Sequence, residues 1–235
     1  MNLIRSAIYN IVLFSILIVF LIFGFSLILF DKKYMLIFWK CLSRVVAFVT
    51  KHVAGISYTI ENPPCNDTPP RIYAMRHESM WETFVLIHVF KQPIFIVKKE
   101  LLDIPLFGVM VRKVGTIAVD RDGGARTLVE VTKKVEQAIA EGCSVVLFPE
   151  GTRVASGEHA ELKRGIAMFY KRTNCPVVPV IHNAGEFWPR RGFIKKPGHV
   201  SVKFLDPISP GLHQGEFMEK LTHVFHTEVD KLKNE

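Results

Sequence analysis

Residues Ile8 to Phe30 carry no charged side chain, and only Asn10, Ser15 and Ser26 among them are clearly polar. As one helix the stretch is about 35 Å long, enough for a hydrocarbon core of about 30 Å. A cleaved signal peptide is the rival reading, but the run exceeds the usual length of such a segment and no small-x-small cleavage site follows it. Lys32, Lys33, Lys40 and Arg44 come after the run, against Arg5 before it. By the positive-inside rule that bias places the rest of the chain on the cytoplasmic side, at the inner or plasma membrane.

A second apolar segment, Tyr34 to Val53, is interrupted by Lys40, Arg44 and Lys51. These three gather on one helical face, opposite Leu36, Ile37, Val46 and Phe48. That pattern predicts an amphipathic helix lying at the bilayer surface. A core helix of the soluble domain is the alternative, and both segments together also suit a hairpin dipped into one leaflet. Residues 1–56 are therefore read as a membrane anchor, with helices over 8–30 and 34–53, and residues 57–235 as the folded domain. The net charge of +8 follows the same division. Six basic side chains stand against Asp31 alone in the anchor, while the domain is nearly balanced. A nucleic-acid binder would carry its charge on the folded domain, so no nucleic-acid partner is expected. Charge flanking apolar sequence suits anionic lipid headgroups. Cys41, Cys65, Cys143 and Cys175 contain no CxxC spacing, which argues against a disulfide framework or a zinc site.

From Ser57 onward, strand-like and helix-like runs alternate. Strands are predicted at Ile72–Met75, Ile94–Val97, Thr116–Val119, Cys143–Phe148, Val177–Ile181 and Val200–Phe204. Helices are predicted at Trp81–Phe90, Leu101–Val111, Thr127–Ala140, Leu162–Arg172 and Phe217–Leu232. The near-continuous apolar run Cys143–Phe148 reads as a central strand covered on both faces. Alternation of this kind implies an α/β fold, with a mostly parallel central sheet flanked by helices. Asn62 to Pro70 is the one linker-like loop.

Two short motifs carry candidate chemistry. In the first, His77 and Glu82 are separated by four residues. On a regular helix they would point about 140° apart, so they meet only if His77 precedes the helix and Glu82 lies in its first turns. Ser79 as N-cap fits that arrangement, with Glu82 completing a capping box. Capping alone would also explain the pattern. If catalytic, His77 is a general base and Glu82 fixes its tautomer. The second motif, Phe148-Pro149-Glu150-Gly151-Thr152-Arg153, follows the central strand, where α/β sheets bind ligands. Gly151 permits a tight turn, Arg153 offers a fork for phosphate, and Glu150 suits a substrate hydroxyl. A charged surface turn is the alternative. Arg121, at another strand end, is a second phosphate candidate, and Lys163-Arg164-Gly165 opens a helix within reach of an anion. Phe187, Trp188 and Phe193 lie among basic residues in Gly185–Lys196, a pattern suited to a membrane interface or to an exposed hairpin. His77, Glu78 and Glu82 as metal ligands lack a second histidine cluster, since His88, His159 and His182 are isolated.

The ordered set HX4(acid), an Arg-bearing strand end, FPEGTR and Val177-Val178-Pro179-Val180 resembles the glycerolipid acyltransferases, and within them the bacterial 1-acyl-sn-glycerol-3-phosphate acyltransferases. It covers roughly residues 70–185. One departure is Glu82, where the family's first motif usually has aspartate. The resemblance implies direct acyl transfer from acyl-CoA or acyl-carrier protein to the sn-2 hydroxyl of lysophosphatidic acid, giving phosphatidic acid. It assigns His77 as base, Glu82 as its orienter, and Arg121 and Arg153 to the phosphate. Glu150, Gly151 and Thr152 belong to the glycerol side, and Pro179 to the acyl or acceptor pocket. No metal or other cofactor is implied. The rivals are a sibling enzyme acylating glycerol 3-phosphate or another lysophospholipid, and a membrane-anchored lipid-binding protein without catalysis.

Overall fold

The computed structural model describes residues 2–64, 69–120 and 123–233. Cys65 and Arg121, both noted above, lie outside these, as does part of the Asn62–Pro70 loop. The chain runs α1 (Asn2–Ser26), α2 (Lys32–Val49), β1 (Ile56–Glu61), β2 (Ile72–Met75), α3 (Trp81–Val85), β3 (Pro93–Lys98) and α4 (Phe107–Lys113). It continues with β4 (Ile117–Val119), α5 (Gly124–Ala140), β5 (Ser144–Leu147), α6 (Gly165–Thr173), β6 (Val177–His182), α7 (Ala184–Phe187), β7 (Gly198–Phe204) and α8 (Gln214–Lys233). The strands form one sheet in the order β1-β7-β6-β2-β5-β3-β4. Every neighbouring pair is parallel except β6 and β7.

The central strands are apolar on both faces because both faces are covered. Tyr73, Met75, Val146, Val178 and Val180 join the core under α1, α2 and α3. Their alternates Ile72, Ala74, Val145, Leu147, Val177 and Ile181 join the core under α5, α6 and α8. The α5 helix turns Val131, Val135 and Ala138 into that second core. It stops at Gly142 (φ 80°), whose N–H bonds the Ile139 carbonyl at 3.0 Å while Cys143 N–H bonds Ala138 at 2.9 Å. Only a left-handed residue closes a helix in this way.

Some predicted elements change shape in three dimensions. The Leu101–Val111 helix breaks into a tight turn (Lys99–Asp103) and α4. Pro105 forces the preceding Ile104 out of the helical region, to ψ 121°. The Trp81–Phe90 helix tightens after Val85, where Ser43 of α2 bonds the Val85 carbonyl at 2.8 Å and accepts from His88 N–H at 3.2 Å. The helix predicted from Leu162 begins instead at Gly165. Lys163 N–H is spent on the Pro149 carbonyl at 2.7 Å.

α1 and α2 run antiparallel. Tyr9 Oη meets Thr50 Oγ1 at 2.8 Å near one end, and the rings of Phe20 and Phe38 lie 4.7 Å apart further along. α1 and α2 share a continuous core with the sheet through Tyr9, Leu13, Met35, Trp39, Leu42 and Val46. The domain holds α1 along its length. Lys195 N–H donates to Ser6 Oγ at 2.8 Å, and at the far end Gly24 lies where a Cβ would fall 2.1 Å from Met110. The outer face, including Ile4, Ile11, Ile18, Ile22 and Phe23, is exposed and apolar. By length and composition, Asn2–Leu29 is able to cross a membrane.

Candidate active site

The parallel strands end on one edge, and the two motifs emerge there. Beyond β2 the chain reads Arg76-His77; beyond β5 it reads Phe148 to Arg153. The two loops are joined by Val154 N–H to the His77 carbonyl at 2.8 Å and by His77 N–H to Glu150 Oε1 at 3.4 Å.

His77 Nδ1 lies 2.7 Å from Glu82 Oε1. The same carboxylate accepts Glu78 N–H at 3.0 Å and Ser79 N–H at 2.9 and 3.1 Å. Ser79 Oγ in turn accepts Trp81 N–H at 3.1 Å. The N-cap residue of α3 is Met80, which makes no side-chain cap bond, so Ser79 stands one residue earlier than expected; Glu82 closes the turn before the helix and holds His77 with the same carboxylate. Glu82 is fully buried, and burial by itself raises a carboxyl pKa. The hydrogen bond from His77, the nearby His182 and His77 rings and the Ser79 amide outweigh it and hold Glu82 below its ordinary value. With Nδ1–H committed to a carboxylate, the neutral ring presents its Nε2 lone pair as base. The His77 ring stacks on Phe148, centroids 4.0 Å apart at 25°, so its plane is fixed.

His77 opens onto a cavity of about 280 Å³. Leu36 and Trp39 of α2, Phe84, Phe107 and Val111 give it apolar walls. Its cations are Arg153 and Lys98. Arg153 Nε is buried without a hydrogen-bond partner among the described residues. Lys98, at the end of β3, is half-exposed beside Glu100 at 2.5 Å. Nothing in the sequence distinguishes Lys98; its place at the end of β3, lining the same cavity as His77, singles it out.

The structure divides the remaining candidates. Glu150, Gly151 and Thr152 line a second cavity of about 680 Å³, under α5 and α6, together with Lys163 and Arg164. Gly151 takes φ 69°, the left-handed turn expected of it. Pro179 sits mid-strand in β6 opposite Ala74 and lines neither cavity; its carbonyl accepts Leu205 N–H at 2.9 Å. Arg121 lies outside the described residues. Trp188 is not an interfacial aromatic: it is buried edge-on to Tyr9 of α1 at 5.4 Å, whereas Phe193 is exposed. Glu78 turns away from His77, held by Arg76 Nε at 2.9 Å and Gly185 N–H at 2.9 Å.

Arg76, not among the sequence candidates, is 1% exposed and sits at the centre of a buried ionic cluster. Besides Glu78 it reaches the Ala155 carbonyl at 3.1 Å, the Glu158 carbonyl at 2.5 Å and Glu150 Oε1 at 3.7 Å. His182 closes the cluster, donating from Nε2 to the Arg76 carbonyl at 2.9 Å and accepting Ala184 N–H at 3.2 Å. Burial raises the Glu150 pKa to about 7. A guanidinium nearby would favour the ionised form, but Arg76 gives its short contact to Glu78, so burial prevails.

A sequence model of the Acyltransferase family matches residues 57–183. The chain belongs to the acyltransferase family. The 1-acyl-sn-glycerol-3-phosphate acyltransferase of Pseudomonas aeruginosa is 34% identical over 174 residues, which is 74% of this acyltransferase and 66% of that protein. The enzyme of that name from Cocos nucifera is 24% identical over 176 residues, 74% of this chain and 57% of its own. The aligned part thus spans less than two thirds of each relative. The crystal structure of a 1-acyl-sn-glycerophosphate acyltransferase from Thermotoga maritima superposes with a TM-score of 0.82 at 23% identity, over 100% of this acyltransferase and 99% of that chain. At that identity the likeness shows the fold.

Proposed function

We propose that this acyltransferase is a 1-acylglycerol-3-phosphate O-acyltransferase, moving a fatty acyl group from acyl-CoA or acyl-carrier protein to the sn-2 hydroxyl of lysophosphatidic acid. The product, phosphatidic acid, would feed phospholipid biosynthesis. The observation that carries this reading is the 2.7 Å His77–Glu82 pair opening onto an apolar cavity that also bears Arg153 and Lys98. Base, anion site and lipid-compatible walls then lie in one place.

In this mechanism Arg153 and Lys98 hold the acceptor phosphate. His77 Nε2 removes the sn-2 hydroxyl proton as that oxygen attacks the thioester carbonyl. Glu82 stabilises the imidazolium that forms. The tetrahedral intermediate collapses, the C–S bond breaks, and the proton on His77 passes to the departing sulfur. Glu150 and Gly151 shape the turn that carries Arg153. Residues 1–56 serve as the membrane anchor of the 57–235 domain, on the cytoplasmic face. Because the domain holds α1 at both ends, an in-plane position with its apolar face in one leaflet fits better than a free-standing span.

The test is acyl transfer from palmitoyl-CoA to lysophosphatidic acid in detergent micelles, with His77→Ala alongside. Phosphatidic acid formed by the wild type and lost in the variant is the expected result. Turnover surviving the substitution overturns the role of His77. Turnover confined to glycerol 3-phosphate or another lysolipid moves the chain to a sibling reaction. No turnover on any acceptor by folded protein returns it to lipid binding alone.

A further inference from the structure

The larger cavity is not used by the chemistry above. It lies across the sheet from the His77 cavity, and Phe148 and Ile96 line both. Building on the thioester-donor reading, we propose that this cavity seats the phosphopantetheine arm common to acyl-CoA and acyl-carrier protein.

A thioester carbonyl at His77 puts the acyl chain in the apolar cavity. The rest of the donor then has to leave by another route. That remainder is a thin arm with two amides, a branched apolar segment and a phosphate, and each has a counterpart here. For the phosphate there are Lys163 and Arg164, beside the first residues of α5 and α6, Gly124 and Gly165. Both helices are long enough to direct a positive end at an anion. Asp120 also lines the cavity, but Lys99 lies 3.4 Å from it. For the apolar segment there are Leu128, Val131, Ile166 and Phe169. For the amides there are Thr127, Thr152 and Glu150. Glu150 is 2% exposed, and its Oε2 has no hydrogen-bond partner among the described residues. With its pKa raised to about 7, about half of these carboxyls hold a proton at neutral pH, and that form can donate to an amide carbonyl. A volume of about 680 Å³ accommodates such an arm.

The experiment replaces the two cations in the double variant Lys163→Gln/Arg164→Gln and separately narrows the cavity with Ile166→Phe. KM is measured for palmitoyl-CoA, for palmitoyl-acyl-carrier protein and for lysophosphatidic acid, and Kd for free CoA by calorimetry. The expected result is a rise of roughly tenfold or more in both donor KM values and in the CoA Kd, with the lysophosphatidic acid KM unchanged within about twofold. Unchanged donor constants in both variants overturn the proposal. So does a rise confined to one donor, which would place the contacts on the nucleotide or the carrier protein, or a rise for lysophosphatidic acid alone. Melting temperatures within a few degrees of wild type show that the variants are folded. If the wild type transfers nothing to lysophosphatidic acid, the reaction assignment fails, and the CoA Kd still decides the arm site.

Discussion

Two neighbouring carboxyls, one in the first turn of α3 and one in the turn after β5, are buried almost equally, Glu82 at 0% and Glu150 at 2% exposure, yet their pKa values move in opposite directions. Glu82 receives two backbone N–H groups and His77 within 3.0 Å. Glu150 has its own backbone N–H, a long contact from His77 N–H at 3.4 Å and a guanidinium at 3.7 Å that is already engaged. Burial costs the charged form of both. What separates them is the set of donors aimed at the oxygens. The start of α3 favours a negative charge beside a histidine, and the turn after β5 disfavours one.

The sharpest way to break this contrast is Glu82→Gln. A glutamine side chain has one acceptor oxygen, and its NH2 would face the Ser79 N–H or the His77 Nδ1–H. Steady-state kinetics should show kcat falling on the order of 10²- to 10⁴-fold as the tautomer is lost. A fall of less than about fivefold would mean that Glu82 only caps the helix. Arg76→Met attacks the other side. It leaves Glu78 and Glu150 without their cation in the interior, and denaturant unfolding should report about 3–5 kcal/mol lost.

The two carboxyls should also respond to pH with opposite sign. Glu150 has a folded pKa raised above 4.5, so ionising it opposes folding. Relative to Glu150→Gln, the wild type should lose stability as pH rises from 4.5 to about 7, by roughly 3 kcal/mol, and then level off. Glu82 has a lowered folded pKa, so its contribution is present above pH 4.5 and is lost on acidification below it. Melting temperatures of both variants across pH 4 to 8 check this; parallel curves would remove the distinction. The smallest effect is expected from Gly151→Ala. A Cβ there stays 3.4 Å from Lys163, so only the φ of 69° is strained, at a cost of about 1 kcal/mol. A loss of 3 kcal/mol or more would show that the turn depends on something besides its backbone angle.

What the sequence made readable was whatever depends on near neighbours. Ile72–Met75 is found with its expected bounds, and the apolar periods of Thr127–Ala140 and Val177–Ile181 belong to α5 and β6. β1 went unnoticed because ISYTIE, at the sheet edge, mixes exposed polar residues into a short strand. The His77–Glu82 pairing was legible because both its residues sit within one turn of a helix start. Lys98 was not, since it shares the His77 cavity only through the order β2-β5-β3 in the sheet. Arg76 and His182 were missed for the same reason. A buried charge cluster assembled from three separate segments, around residues 76–78, 150–158 and 182–185, leaves no period in the chain. Glu150 and Arg153 line different cavities because the turn after β5 directs them to different sides, and a motif read as one unit hides that.

The shared core of the N-terminal helices and the sheet has a consequence for how the molecule is made. Synthesis delivers α1 and α2 before any strand exists for them to cover, and β1 then waits for β7, its neighbour in the sheet and the last strand translated. Through most of translation the hairpin has a sticky inner face as well as its apolar outer one. With α1 in a leaflet as proposed, a bilayer would give both a place to wait. For this fold the membrane would act as an early chaperone, and shortening the chain to Ile56 in search of a soluble enzyme would uncover the floor of the sheet instead of freeing a domain.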